Sequence, residues 1–475
     1  MTDNSVRAKQ KLNWRFPRTF WIANGAELFE RAAYYGMAIA LAVYLTDQIG
    51  FSDVWTGYVY GAFASVLYLM PTFTGIMADK IGFRRALILA FALLTFGYLL
   101  LGVAGMQIGQ TLVFSEVPRK LIVLAALAII MFGGSIIKPV ISGTVAVCSD
   151  EAHRARAFSI FYAVVNIGAF IGKSLAAPLR QELGLEWINY YAASMALCAL
   201  VFVALFYRAV TTEGKGKTVA EALDGLFKVV RNFRFMCLIL IVAGFWAIQH
   251  QLYASMPKYI LRMLGEGARP EWLANINPLV VVLLVVPITH LVRRVKPVNT
   301  IAVALLIIPL SSLTISLSPA LESVFGGKVP VNLIVFRFAM HPITLMVIIG
   351  IALQGLAECF LSPKWLEYAS NQAPKGEVGL YMGYMHLSSF FAYLFGFIIS
   401  GYLLDWYCPD PNKLPQHVQE ARLAAIEAGT SLPEAYAHAH YIWYVFAAIG
   451  ALAFAGLVVF KIVTNAIDRR RTAEA

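Results

Sequence analysis

Apolar runs dominate the chain, and clusters of charge, Gly and Pro interrupt them at regular intervals. The first runs cover 19–46, 55–78, 86–106, 120–148, 156–179 and 187–209. Six more cover 234–262, 272–294, 298–318, 338–364, 377–405 and 438–463. A bilayer core takes about 20 largely apolar residues per helix, so each run is expected to be a membrane-spanning helix. Between the two sets lies 210–233, the most polar internal stretch on the expected cytoplasmic side, with Glu213, Lys215, Lys217, Glu221 and Asp224. The predicted organisation is an N-terminal six-helix half over 1–209, a linker over 210–233 and a C-terminal six-helix half over 234–475. Within the linker a short amphipathic helix, 221–231, is expected to lie on the membrane surface. The loop at 407–437 is soluble in composition and is expected to form a small helix over Glu420–Ala428.

Composition narrows the class. The 475 residues are 59% apolar and 14% charged, against roughly 45–50% and about 25% in a soluble domain. A soluble enzyme is excluded, and an all-α integral membrane protein is expected. The net charge of +11 would suit nucleic acid only if it formed a basic face, and it forms none. The cations sit at the ends of apolar runs: Arg15 and Arg18, Arg84 and Arg85, Arg231 and Arg234, Arg293 and Arg294, and Arg469 to Arg471. By the positive-inside rule those ends are cytoplasmic, so both termini are expected inside and the loop at 47–54, which has no Lys or Arg, outside. The polar, basic first 18 residues do not read as a cleavable leader, so the first helix is expected to direct insertion. Cys148, Cys198, Cys237, Cys359 and Cys408 show no C-x-x-C or metal spacing and are expected to be packing thiols. Without a cofactor loop, metal ligands or a nucleophile beside a base, neither a cofactor nor an enzyme is expected.

Ionisable groups at mid-span are costly and usually functional. The first span carries Glu27, Glu30, Arg31 and Tyr34 at i, i+3, i+4 and i+7, one helical face. Arg31 can pair with Glu27 one turn away, which leaves Glu30 to a cation on another helix, and Lys138 in the fourth span is available. The alternative is a static buried cluster, but buried ion pairs are weak stabilisers. The fifth span places Tyr162, Asn166 and Lys173 on one face. Lys173 could face a cavity or snorkel to the outer interface, and Asn166 could bind a ligand or another helix. The seventh carries Gln249, His250 and Gln251, the tenth Glu358 and the eleventh His386. His250 can take a proton at physiological pH or simply line a cavity, and for His386, beside Ser388 and Ser389, ordinary polar packing is expected.

The loop after the second span reads GIMADKIGFRR, with Gly75, Asp79, Lys80, Gly82, Arg84 and Arg85. It is similar to the loop motif of the major facilitators, whose two six-helix halves rock around a midplane site. Asp79 could pair with Arg84 or Arg85 and cap a neighbouring helix, while Gly82 permits the turn. A latch for one conformation is expected, the alternative being a generic charged turn.

ELFERAAYYG, 27–36, resembles the E-x-x-E-R-x-x-Y-Y-G signature of the proton-coupled oligopeptide transporters, a branch of the major facilitators. FSIFYAVVNIGAFIG, 158–172, and GGSIIKPVISGTVA, 133–146, are similar to that branch's fifth-span and fourth-span segments, with weaker similarity at FWAIQHQ, NINPL and ECFLSP. The resemblance implies that Glu27, Glu30 and Arg31 handle a coupling proton, with Lys138 as a switchable salt-bridge partner. It implies also that Tyr34, Asn166 and Asn277 line a substrate cavity and that Glu358 receives an amino terminus. The chain departs from the pattern at Ala38, where a basic residue usually receives a peptide carboxylate, at His250, which replaces an acidic residue, and near Tyr381, where no Trp occurs. Lys173 could restore the missing cation. The implied activity is proton-coupled import of small peptides or peptide-like solutes by alternating access. The partners would be the solute, protons and the bilayer, with no nucleic acid, a monomeric working form and a bacterial inner membrane as location. Alternatives are a carrier of a non-peptide anion or metabolite, an exporter, or a transporter-like receptor.

Overall fold

The computed structural model describes residues 16–106, 116–150, 153–208, 218–332, 337–373 and 378–474. In the first half come α1 (Arg18–Val43), α2 (Asp53–Leu69), α3 (Pro71–Ile81), α4 (Phe83–Gly105), α5 (Glu116–Val147), α6 (Arg154–Glu182) and α7 (Leu185–Phe206). The linker holds α8 (Val219–Arg231). The second half holds α9 (Phe233–Gln249), α10 (Ser255–Leu264), α11 (Pro270–Leu273), α12 (Ile276–Leu291), α13 (Pro297–Ser316) and α14 (Ser318–Phe325). It continues with an antiparallel hairpin, β1 (Val329–Asn332) and β2 (Arg337–Met340), then α15 (Pro342–Gln372), α16 (Val378–Tyr384), α17 (Leu387–Tyr407), α18 (Gln416–Ala428) and α19 (Tyr441–Glu474).

Helices prevail because backbone groups in hydrocarbon must be satisfied within the chain itself. Among the described residues ten helices are long and apolar enough to cross a bilayer, or eleven if α2 and α3, bent by 50°, count as one span. Pro71 explains the bend, since its ring and missing N–H disrupt the preceding turn. The twelfth expected span is α1, 26 residues long and packed between α6 and α7. Glu27, Glu30 and Arg31 interrupt its apolar stretch, which sets it apart from the others.

One expectation needs correction. The run at 338–364 starts late because β2 occupies its first residues, and it runs to Gln372 because Pro363 lies inside the helix without ending it. The seventh span is found at Phe233–Leu264, close to the expected 234–262, with a short 3-10 segment, His250–Leu252, between α9 and α10. The linker helix begins at Val219, where Thr218 and Glu221 form a reciprocal capping box. Glu213, Lys215 and Lys217 lie outside the described residues.

In lipid, apolar burial does not draw helices together, so close approach at small residues and interhelical hydrogen bonds do. Gly57 of α2 lies so near α17 that any Cβ there would collide with the Phe397 carbonyl. Further along that seam the Ser65 hydroxyl donates to the Phe390 carbonyl at 3.0 Å. The second seam between the halves joins α6 to α11. The described hydrogen bonds that directly tie the halves run from Ser65 toward the end of the bundle that carries residues 47–52 and 408–440, hereafter the sealed end.

Candidate functional site

Glu27, Glu30 and Arg31 are brought together on the buried face of α1, at 1%, 2% and 6% exposure. The Arg31 Nε lies 3.2 Å from Glu27 Oε1 and also donates to the Glu30 carboxylate. Glu27 Oε2 has no hydrogen-bond partner. The Tyr34 and Tyr35 rings flank the guanidinium at 5.4 and 5.8 Å. The expected Glu30–Lys138 pair is not formed in this structure: Lys138 Nζ sits 4.3 Å from the centre of the Tyr68 ring. Both contacts run from Nε, whose single N–H donates to Glu30, so Glu27 is held by charge alone. Lys138, Glu30, Arg31, Tyr34, Tyr68 and Tyr98 border a cavity of about 20 Å³, room for roughly one water.

Across the bundle, Glu358 of α15 accepts hydrogen bonds from Gln249 Nε2 at 3.0 Å and Asn277 Nδ2 at 3.3 Å. His250 lies at the break in the seventh span. Its ring stacks on Tyr393 at 3.8 Å and on Trp246 at 5.5 Å, and its Nε2 is buried without a hydrogen-bond partner. Tyr162 is exposed, and the Asn166 amide donates to the Tyr162 carbonyl at 2.8 Å, so one of the two donors of Asn166 is used within its own helix.

Lys173 neither snorkels nor faces open solvent. It is 2% exposed, and its Nζ donates to the Ala274 carbonyl at 3.1 Å, beyond the end of α11. The α11 segment packs against α6, and a carbonyl just past a helix end lacks a helical partner, which explains the pull on this ammonium. His386 departs from simple packing too, for its ring is exposed and borders a small cleft with Tyr68 and Thr72.

The loop motif forms its turn, with Gly82 at φ 84°, a value that favours glycine. Gly75 packs against Pro139. The expected pairing of Asp79 with Arg84 or Arg85 is not seen among the described residues: all three are exposed, and Arg84 Nη2 donates instead to the Ala204 carbonyl at 2.7 Å. Arg84 finds that carbonyl because the end of α7 lies beside the start of α4 and leaves its last carbonyls open.

At the sealed end lies a group that sequence reasoning missed. The Asp53 carboxylate, fully buried, accepts from Lys258 Nζ at 2.8 Å and from Arg262 at 2.9 and 3.0 Å. Arg262 donates also to the Cys408 carbonyl at 2.6 Å. On the other seam, Arg180 of α6 holds Glu271 at 2.6 Å and Glu266 at 3.2 Å. A signal existed: Lys258, Arg262 and Arg180 are cations at ends that the positive-inside rule assigns to the outside, which calls for carboxylate partners.

A family model described as Major Facilitator Superfamily matches residues 25–336 and 329–475. The chain belongs to the Major Facilitator Superfamily. This superfamily is one of transporters, and its member here is a multi-pass membrane protein. The chain is similar to dipeptide and tripeptide permease B of Salmonella typhimurium strain LT2, 29% identical over 233 residues, which is 48% of this chain and 42% of the permease. It is similar also to dipeptide and tripeptide permease A of Salmonella typhi, 28% identical over 251 residues, 50% of this chain and 46% of the permease. The matched stretches span less than half the length of these relatives. Among solved structures, a peptide transporter POT in complex with sulfate superposes with a TM-score of 0.69 at 19% identity, over 95% of both chains. A POT family transporter in complex with 5-aminolevulinic acid gives 0.69 at 18% identity, over 95% of this chain and 97% of the other. The expected all-α facilitator fold is the fold of this superfamily member.

Proposed function

We propose that this facilitator is a proton-coupled symporter that imports small peptides or peptide-like solutes by alternating access. It would work as a monomer in a bacterial inner membrane, with both termini cytoplasmic and the sealed end outward. The observation that carries the proposal is the buried triad of Glu27, Glu30 and Arg31, supported by similarity to the permeases. Two carboxylates and one guanidinium leave one negative charge in the membrane, which is costly unless neutralised. Either Lys138 or a proton can cancel it. When Lys138 turns toward the triad the proton is released, and when Lys138 turns away a proton must return. His250, stacked and unpartnered at the helix break, is a second proton carrier in this scheme.

Substrate would bind between the halves. Glu358, oriented by Gln249 and Asn277, offers an anion to an amino group, and Tyr34, Tyr162 and Asn166 supply polar walls. Lys173 becomes available to a carboxylate only when α6 parts from α11. Wild-type uptake kinetics in Lys173→Ala would remove that role. Asp79 and the arginines of its loop would latch the opposite conformation, in which the sealed end is open.

One observation favours a non-peptide solute. Ala38 is buried, and Tyr60 donates to its carbonyl at 2.8 Å, so no cation stands where a peptide carboxylate is usually received. A thermal-shift panel of di- and tripeptides, amino acids, nitrate and small metabolites separates the two classes, since a bound ligand stabilises the fold by mass action. Peptide-dependent stabilisation that Glu358→Gln weakens supports the peptide class. Stabilisation by non-peptide solutes alone would overturn it.

A further inference from the structure

Beyond the seal, between the end of α1, α10 and α18, lies a polar cavity of about 180 Å³, space for roughly six waters. One wall carries Asp47 and Glu266. Asp47 makes no ion pair among the described residues, and Glu266 shares Arg180 with the closer Glu271. The other wall carries Lys258, Arg262 and Arg422, at 3%, 4% and 6% exposure. Lys258 and Arg262 divide the single Asp53 carboxylate between them. Arg422 has no carboxylate partner among the described residues: its Nε and Nη2 donate to the Arg262 and Leu261 carbonyls at 2.7 and 2.8 Å. These two bonds fix α18 over α10 as the cover of the cavity.

The charge count is uneven on each wall. Three buried cations face Asp53 on the inner side, and opposite them stand Asp47 and Glu266, both exposed, with part of one guanidinium, while the buried Asp410 adds a further negative charge near Asp47. An anion alone would satisfy one wall and repel the other, and so would a cation. We propose that this cavity is a second solute site, for a small zwitterion such as an amino acid or a short peptide. Its ammonium lies against Asp47 and Glu266, and its carboxylate against Arg262 and Arg422. Because Arg262 also holds Asp53, a carboxylate arriving there competes with the seal itself. Capture at this site therefore loosens the sealed end, an inference that rests on the transport role proposed for that end.

Equilibrium dialysis of the purified full-length chain, with radiolabelled alanine and then alanyl-alanine, tests the site. Alanine should bind once per chain, and Asp47→Asn should weaken it at least tenfold, whereas Glu358→Gln leaves it unchanged. Alanyl-alanine should bind at two sites, one removed by each substitution. Methylammonium and acetate, which carry one charge each, should bind at least tenfold more weakly than alanine. Should Asp47→Asn not fold, Glu266→Gln serves in its place with the same expectation. The inference is overturned if alanine does not bind, if the acidic-wall substitution leaves its affinity unchanged, or if either single ion binds as well. Loss of Glu358-dependent peptide binding alone would instead count against the central site and leave this one standing.

Discussion

The two ends of the bundle are held by different means. At the sealed end, buried charges cross between halves: Asp53 to Lys258 and Arg262, and Arg180 to Glu271. At the other end, the charged loop motif is exposed and Asp79 has no ion pair among the described residues, while Lys138 has solvent-accessible surface in the middle of α5. A buried charge is tolerated only while its partner stays, so the sealed end holds its charges in pairs across the halves and the other end holds none of its charges that way among the described residues. The contrast teaches where conformational energy is held: in a few pairs that span two halves, within a scaffold whose remaining contacts lie mostly inside each half.

Removing one member of the central pair should produce the largest effect. Breaking a buried ion pair costs about 3–5 kcal/mol because the remaining charge is stranded, so Asp53→Asn should shift the protein toward a state open at this end. Spin-label distances between α2 and α10 would lengthen. Replacing all three charges by apolar residues of similar size, Asp53→Leu with Lys258→Met and Arg262→Met, should restore the short distances, since such replacements are often neutral or stabilising. The triple variant should then be locked and transport poorly. A next, smaller effect is expected from Gly57→Ala. The added methyl group overpacks the α2–α17 seam, where such changes cost about 1–3 kcal/mol, and the thermal midpoint of the purified protein should fall.

The polar cavity beyond the seal gives a pH-dependent contrast. Desolvation at the cavity wall pushes the carboxyl of Asp47, itself exposed, above its ordinary range, against the pull of Arg262 and Lys258 and helped by Asp410. Partial desolvation raises the largely exposed Glu266 likewise, against Arg180 and Arg422, with Asp47 and Glu271 adding to the rise. Each therefore takes up a proton at a higher pH than an ordinary carboxylate. Attraction for an ammonium group is present while they are ionised and is lost as pH falls through that raised range, so alanine affinity should drop severalfold on mild acidification. Calorimetric titration at two pH values checks this. The smallest effect should come from Asp79→Asn. In the conformation seen here it breaks no ion pair, and an exposed substitution of this kind stays within about 0.5 kcal/mol, so thermal stability should hold. Any loss of transport would then be due to the opposite conformation.

Much of this architecture is legible in the sequence because the bilayer leaves few options. Apolar runs must be helices, and the i, i+3, i+4 spacing of Glu27, Glu30 and Arg31 puts them on one face whatever surrounds them. The linker helix, expected over 221–231, is found at Val219–Arg231, and the helix expected over Glu420–Ala428 at Gln416–Ala428. Partner choice is less legible. Spacing shows that Arg31, Lys138 and two carboxylates are available, but not that one guanidinium serves both carboxylates while the lysine rests on Tyr68. Contacts between halves are less legible still. Asp53 and Arg262 are 209 residues apart, and each alone looks like an ordinary charge at a helix end. Nothing in the local pattern around His250 marks the break that sets its ring against Tyr393.

In the proposed cycle the α1 triad couples solute movement to protons. Proteoliposomes loaded with a pH-sensitive dye, given alanyl-alanine outside and no imposed gradient, test it most directly. The wild-type protein should acidify the lumen as solute enters, and Glu30→Gln should still bind the solute yet produce no acidification. Solute entry without acidification in the wild type, or acidification by Glu30→Gln at the wild-type rate, would contradict the account.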